Sequence, residues 1–332
     1  AAAAAAAAAP LSPEILRGYL KILRLEPPLG PPSLLLLKLL FQAHLDTIPY
    51  ETLDIVVRRP APPLDTLSAA ARVVTQRRGG YCFELVAAFA ALLRTLGFDI
   101  SLHRGVCGDT TSCEGAPWRG SGGGAVEPSR PSCPNHVVLV ASLDGRRYVA
   151  DVGLGDGPPE PFELAEGGWE LKGRQYDLRM VVPPQRGPDR GVVWRWRHTP
   201  SASFPGMDFE DAPIGPTDAD FATAFWPKHG WYHGAPASMF LTSGVVVYRV
   251  RPDGAVLKLR GRTLYKLGPE GTEPKVVATA ATLPEWVALT TDHFGIHATA
   301  SFSSAELAHL WAVVQATPVP RGLHLTRQSA RL

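Results

Sequence analysis

The stretch QRRGGYCFELVAAFAALLRTLGF, Gln76 to Phe98, constrains this chain most. After Cys82, the residues Phe83, Val86, Phe89, Ala90, Leu93 and Leu96 recur at three- and four-residue steps, the spacing of a buried helix face. Gly79-Gly80 is a turn signal ahead of the run, and Gly97 is a natural stop behind it. A core helix therefore starts at Cys82. The first turn of a helix carries unpaired N–H groups and the positive end of the dipole, which stabilise a thiolate. Cys82 is either a small hydrophobe packed at a helix start, as free cysteines commonly are, or a nucleophile. Arg77 and Arg78 either add positive potential there or face solvent.

A second stretch weighs on that choice. HVVLVASL, from His136, reads as a strand, Asp144-Gly145 as a two-residue turn, and RRYVADVGL as the returning strand. With Leu143 opposite Arg146, antiparallel counting sets His136 opposite Gly153 and Asp151 opposite Val138. His136 and Asp151 then share a face as diagonal neighbours, about 7–8 Å apart at the backbone and close enough for one hydrogen bond. Each alone is commonplace: a satisfied sheet histidine, a strand-end carboxylate. Together with a helix-start cysteine they are a nucleophile, a base and a group that orients the base. In such a set the imidazole takes the thiol proton, and the cysteine pKa is expected to fall well below its free value of about 8.5.

The rest of the chain falls into three stretches. Residues 13–100 read mostly helical: PEILRGYLKILRL, then LLLLKLLFQAHLDTI up to Pro49, then a helix over 67–76, then the Cys82 helix. Residues 104–135 are rich in Gly, Ser and Pro and read as a long irregular loop. DLRMVV and GVVWRWRH look like a strand pair, a further loop spans about 200–220, and GVVVYRV, AVLKL and RTLYKL are strands. Ser303 with Glu306 forms a capping-box pattern that opens a last helix, AELAHLWAVVQA. No fixed-period repeat is found. The expected class is α+β, with domains at 10–100, 101–215 and 216–332.

Composition removes several function classes. A formal net charge of +2 over 332 residues gives no reason to expect nucleic acid or an anionic membrane as partner. No apolar stretch reaches the roughly 18–20 residues of a membrane span. The nine opening alanines lack the regions of a secretory leader and are left out of the fold reasoning. Four cysteines are too few for a disulfide scaffold of this length, so a reducing, cytoplasmic setting is expected. Cys107, Cys113 and Cys133 lack the tight pairing of zinc sites, and no metal is expected. His229 and His233 have a metal-friendly helical spacing, but KHGWYHGAP holds two glycines and a proline and is not expected to form a regular helix.

RRGGYCFEL, the strand-opening His136 in NHVVLV, and YVADVGLG together resemble the arylamine N-acetyltransferase family. That family's pattern is Arg-Gly-Gly-aromatic-Cys, a strand-opening His, and Asp-Val-Gly-Phe-Gly. FQAHLDTIPYETLDI (Phe41 to Ile55) is similar to its His-x-x-x-Ile-Pro-Phe-Glu-Asn-Leu segment, and WYHGAPASMF (Trp231 to Phe240) to its aromatic-then-Pro-x-Ser-x-Phe segment. DHFGIHATASFS is also family-like, so the resemblance spans roughly residues 13–310. The long 104–135 loop and the overall length look more like fungal or other eukaryotic members.

The resemblance implies a helical bundle, a β-barrel and an α/β lid around a papain-like cysteine-protease-type catalytic core. It implies ping-pong transfer from acetyl-CoA to an arylamine or hydrazine, with Cys82 acylated, His136 as base and Asp151 orienting it. Tyr50, Leu154 and Phe240 match positions lining the acceptor and acyl region, and core packing is the plain alternative for each. Ser132 and Cys133 align loosely with a segment that contacts CoA, and Trp231 and Tyr232 either face CoA or pack the lid. A monomer or weak homo-oligomer is expected. Three positions depart from the pattern: Val86 and Thr52 stand where the family usually has Asn, and Leu154 where it has an aromatic. Another acyl donor, such as malonyl- or propionyl-CoA, a thiol hydrolase or transglutaminase-like enzyme, and a binding protein with a compromised triad remain open as alternatives.

Overall fold

The computed structural model describes residues 9–107, 134–181, 192–199, 206–268 and 274–318. Most of the 104–135 loop, with Cys113, Ser132 and Cys133, lies outside them. The described helices are α1 (Pro13–Leu23), α2 (Leu34–Thr47), α3 (Leu53–Val56), α4 (Thr66–Gln76), α5 (Cys82–Thr95), α6 (Asp218–Gly234), α7 (Met239–Thr242), α8 (Leu283–Phe294), α9 (Ala298–Ser301) and α10 (Ser304–Ala316). The strands are β1 (Tyr50–Glu51), β2 (Asp99–Cys107), β3 (His136–Leu143), β4 (Arg146–Val149), β5 (Phe162–Glu163), β6 (Gly167–Leu171), β7 (Arg174–Val181), β8 (Val193–Thr199), β9 (Gly206–Glu210), β10 (Val246–Val250), β11 (Val256–Arg260), β12 (Thr263–Leu267) and β13 (Lys275–Thr279).

Local signals place most helix ends. Ser12 and Ser33 cap α1 and α2 by accepting the N–H groups of Ile15 and Leu36. At the end of α5, Gly97 takes φ +85°, and the N–H of Phe98 reaches back to the carbonyl of Leu93. Ser303 and Glu306 form the expected capping box of α10.

The strands form two antiparallel sheets. The larger runs β5-β4-β3-β2-β9-β8-β7-β6. Its two edge strands, β5 and β6, are consecutive in the chain and joined by residues 164–166. A short link between opposite edges requires the sheet to curl on itself, so it is barrel-like, and the Phe162 and Trp169 rings meet across the seam at 4.9 Å. The smaller sheet runs β1-β10-β11-β12-β13 and takes its first strand from the helical N-terminal region. The two arrangements together make the fold α+β.

The cores cut across the order of the chain. The largest includes Leu37, Phe89, Val137, Phe225 and Tyr248, so α2, α5, β3, α6 and β10 pack together. A second core lies between the small sheet and α8–α10, around Val247, Leu259 and Trp286. A third lines the barrel, around Leu178, Trp196 and Met207. No described helix is long and apolar enough to cross a membrane.

Two expectations need correction. KHGWYHGAP is largely helical: α6 continues through Pro227 and Gly230 to Gly234. Its inward face of Phe221, Phe225, His229, Tyr232 and His233 is buried, and packing that face outweighs the one backbone bond that proline forfeits. Within the loop expected at about 200–220, β9 pairs with both β2 and β8, because Met207 and Phe209 alternate into the barrel core.

Candidate active site

Cys82 is the first residue of α5, as its sequence context predicts, and is 4% exposed. The turn that delivers it is held from outside. A Cβ on Gly79 would lie 1.6 Å from the Pro49 carbonyl oxygen, so only glycine fits there. Gly80 bridges Tyr50, and its carbonyl accepts the N–H of Glu51 at 2.9 Å. The IPYE and RGGYC segments are therefore one structure.

Arg77 and Arg78 part company. Arg77 is exposed at the αL end of α4, whereas the Arg78 side chain is fully buried. Arg78 donates to Glu51 at 2.5 Å and to Asp54 at 2.6 Å, and lies over the Phe302 ring at 4.6 Å. Phe302 belongs to the DHFGIHATASFS segment, so that distant motif braces the catalytic turn. Asp54 also accepts from Arg72 at 2.8 Å, and Arg72 pairs with Glu84. Glu84 accepts the N–H of Tyr81 at 3.2 Å, which caps α5. Burial raises the Glu84 pKa to about 7 against the opposing pull of Arg72.

The hairpin register is the one counted from the sequence: Leu143 pairs with Arg146 and Val140 with Val149. Asp144 and Gly145 both have positive φ, at +51° and +77°, as a type I′ turn requires. The ladder ends at Val149, and ADVGL leaves the sheet, but one more bond, from the Ala150 N–H to the Leu139 carbonyl, carries the alignment on. His136 Nε2 and Asp151 Oδ2 lie 2.6 Å apart, and both residues are buried. Asp151 Oδ1 accepts the N–H of Gly153 at 2.8 Å. A carboxylate acceptor makes Nε2 the protonated ring nitrogen and leaves the lone pair on Nδ1.

The Cys82 thiol donates to the Asn135 carbonyl oxygen at 3.8 Å and lies near enough to His136 to feel its charge. Gly153 packs onto Cys82 so closely that a Cβ there would be 3.0 Å from the Cys82 Cα and 2.8 Å from Val86 Cγ2. Val86, in the place of the family's Asn, thus fills the space behind the nucleophile with hydrocarbon. Thr52, the other departure, is buried and makes no side-chain capping bond to α3; the Glu51 carboxylate takes the Leu53 N–H instead, at 2.7 Å.

The electrostatics correct one expectation. Burial pushes the Cys82 thiol up, and His136 only partly offsets this, so the pKa is raised rather than lowered. Burial pulls the His136 imidazole down, but the Asp151 charge outweighs it and the net shift is well above 6.5. The basic member of the pair is the imidazole.

Around this centre, Tyr50 is half-buried against Tyr248, at 5.9 Å between ring centroids. Burial raises its hydroxyl pKa, and the nearby Cys82 adds to the rise. Phe240 packs on Tyr81 and Tyr232, at 5.4 and 4.5 Å. Leu154 lines a narrow crevice against Asp151 with Phe41, Val149, Phe162, Trp196 and Met207. Of the aromatic pair expected to face CoA or the lid, Tyr232 is buried and donates to the Asn135 carbonyl at 3.4 Å. His229 and His233 have structural partners. Nε2 of His229 donates to the Pro62 carbonyl at 2.8 Å, which leaves Nδ1 to accept from the Tyr81 hydroxyl. His233 Nδ1 bonds the Arg59 carbonyl at 3.2 Å. Among the described residues no group of His, Cys, Asp or Glu forms a metal-holding cluster.

Sequence reasoning missed Asn135 and Cys107. The Asn135 amide clamps the Cys107 backbone, accepting its N–H at 2.8 Å and donating to its carbonyl at 3.0 Å. Cys107, after Asp151, adds to the rise in the His136 pKa. The available signal was an Asn immediately before the strand-opening His.

A family model described as N-acetyltransferase matches residues 33–118. Arylamine N-acetyltransferase of Escherichia coli (strain K12) is 34% identical over 121 residues, 36% of this chain and 36% of that protein. The match therefore spans about a third of that curated relative. N-malonyltransferase FDB2 of Fusarium pseudograminearum is 23% identical over 279 residues, 80% of this chain and 79% of that one. The solved structure of Mycobacterium marinum arylamine N-acetyltransferase in complex with CoA superposes with a TM-score of 0.69 at 23% identity, covering 91% of this chain and 99% of that one, which establishes the common fold. Residues 33–118 thus match the N-acetyltransferase family model, and the chain as a whole has the fold of the solved arylamine N-acetyltransferases.

Proposed function

We propose that the chain transfers a short acyl group from a CoA thioester to the nitrogen of an arylamine or hydrazine, through a thioester on Cys82. The observation that carries this reading is Cys82 at the first turn of α5, in electrostatic contact with an imidazole that Asp151 holds at 2.6 Å. His136 takes the Cys82 proton as sulfur attacks the acyl carbonyl, and returns it to the departing CoA thiolate. In the second half, the amine attacks the acyl-Cys82 carbonyl and gives its proton to His136, and the imidazolium reprotonates Cys82 as the amide leaves. Asp151 keeps the proton on Nε2 throughout, so Nδ1 is the working nitrogen. The raised His136 pKa favours the imidazolium half of the ion pair, and the helix dipole favours the thiolate half.

In this reading Tyr50, Leu154 and Phe240 border the acceptor and acyl region, and residues 10–100, 101–215 and 216–332 act as bundle, barrel and lid. Ser132 and Cys133, the CoA-contact candidates, fall outside the described residues. Acetyl-CoA is the donor proposed first. A malonyl donor is the second reading, supported by the match to an N-malonyltransferase across 80% of the chain.

Intact-mass measurement after incubation with acetyl-CoA tests the proposal. The expected result is a gain of one acetyl group, located on Cys82 and absent from Cys82→Ala. A larger gain from malonyl-CoA selects the second reading. No acylation by any short acyl-CoA refutes both.

A further inference from the structure

The β2–β3 ladder stops one pair short of where its strands could continue. Its register sets Leu102 opposite Leu139 and Gly105 opposite His136, and two residues further on it sets Cys107 opposite Pro134. Alternate residues of a strand point their backbone groups the same way, so the next ladder bonds would join Cys107 and Pro134. Proline has no N–H and cannot return one of them. The Asn135 side chain takes its place: Oδ1 accepts the Cys107 N–H at 2.8 Å, and Nδ2 donates to the Cys107 carbonyl at 3.0 Å. A side-chain amide carries the same donor and acceptor as a peptide group, so it extends the ladder by one rung.

That substitution settles where the Asn135 main chain points. His136 faces β2, so the carbonyl of Asn135 faces the other way, past the end of the β3–β4 ladder at Val140 and Val149. No strand meets it there. The groups that do are the Cys82 thiol, which donates to it at 3.8 Å, and the Tyr232 hydroxyl of α6, which donates to it at 3.4 Å. His136 does not depend on the clamp, because Gly105 pairs with it in the ladder and Asp151 holds its ring at 2.6 Å. The side chain of Asn135 therefore aims one backbone oxygen at the nucleophile, beside the imidazole that is to receive the thiol proton.

We infer that Asn135 is a positioning residue that acts through its own carbonyl: by clamping Cys107 it presents that oxygen to the Cys82 thiol and keeps the resting nucleophile a protonated hydrogen-bond donor. The carbonyl favours the neutral thiol twice over, as acceptor of its proton and as the negative end of a dipole facing any thiolate. Burial acts in the same direction. The proton leaves for His136 only when sulfur attacks a carbonyl carbon, a step that rests on the acyl-transfer reading; the guarding of the thiol does not. The titratable groups around Cys82 are His136, Asp151, Cys107, Tyr50, Tyr81 and Tyr232, and substitution of Asn135 leaves each of them in place.

The test follows alkylation of Cys82 by iodoacetamide against pH, located by peptide mass measurement, in wild type and Asn135→Ala. Without the clamp the carbonyl turns away, the neutral thiol loses its acceptor, and the alkylation midpoint should fall by about 0.5–1 pH unit. Below the midpoint the rate constant should rise about three- to tenfold, in step with the thiolate fraction. A merely structural role would lower the melting temperature and leave the midpoint where it is. A midpoint within about 0.2 unit of wild type, or one that rises, overturns the inference. Should Asn135→Ala fail to fold, the wild-type chain decides. Asn135 is its only asparagine, so growth on asparagine carrying carbon-13 at the main-chain carbonyl labels this one oxygen's carbon. Its resonance should move with pH at the Cys82 midpoint, and Cys82→Ala should lack that movement; the same titration in both proteins overturns the inference. Neither readout uses an acyl donor. If no acyl-CoA acylates Cys82, the acyl-transfer reading fails and the result on Asn135 stands.

Discussion

Arg78→Met removes the cation that fastens the catalytic turn. The wild-type guanidinium is fully buried, bonds Glu51 at 2.5 Å and Asp54 at 2.6 Å, and covers the Phe302 ring. Methionine keeps much of the volume and none of the charge. Asp54 retains Arg72 at 2.8 Å and Arg59 at 3.2 Å, so it stays paired. Glu51 is 1% exposed and, among the described residues, retains only the Leu53 N–H, at 2.7 Å. Removing one partner of a buried ion pair costs about 3–5 kcal/mol, because a charge is left in low dielectric. Whole-domain stabilities are about 5–15 kcal/mol, so the variant should sit near the edge of folding. Adding Glu51→Gln removes the stranded charge, and the double variant should regain about 1–3 kcal/mol over Arg78→Met alone. Urea unfolding followed by circular dichroism measures all three differences. A single variant within about 1 kcal/mol of wild type, or a double variant less stable than Arg78→Met, would refute the stranded-charge argument.

Asp151→Asn should slow Cys82 acylation by about 10³–10⁴-fold. The Gly153 N–H needs the amide oxygen, so the amide NH₂ turns to His136 Nε2 and drives the imidazole proton onto Nδ1, the wrong tautomer; time-resolved intact mass reads the rate, and a near-wild-type value contradicts the assigned roles. Gly153→Ala brings a Cβ to 2.8 Å from Val86 Cγ2 and 3.0 Å from the Cys82 Cα, an overlap worth about 1–3 kcal/mol. Its melting temperature should drop and partly recover in Gly153→Ala/Val86→Ala, and an unchanged value would mean that the close approach has slack. Acid should destabilise the fold through His44 and His229, whose pKa values burial lowers to about 3 and about 4 from 6.5. The unfolded chain binds those protons first, so stability present above about pH 6.5 is lost as pH falls toward 4. His229→Gln should flatten that slope by about one proton, and an unchanged slope would show that His229 is not buried neutral.

What the sequence by itself determined was local. Apolar spacing behind Gly79-Gly80 specified α5 and put Cys82 at its first turn. Asp144-Gly145 specified the turn, and a turn of that type sets the register that brings Asp151 to His136. The capping box of α10 was readable for the same reason: each signal lies within a few residues of its effect. Tertiary structure decided what depends on distant partners. Gly230, Gly234 and Pro236 argue against a regular helix at 228–236, but the chain is helical to Gly234 because the Phe83 and Tyr81 rings pack on its inner face. Arg77 and Arg78 are adjacent and identical in type, and only the carboxylates of Glu51 and Asp54 separate an exposed residue from a buried one. The direction of the Cys82 shift reversed because desolvation depends on everything packed around the thiol, whereas the dipole argument considers only its own helix. The pairing of Tyr50 with Tyr248 was unreadable for the same cause, since the two lie some two hundred residues apart along the chain and are aligned only by cross-strand register.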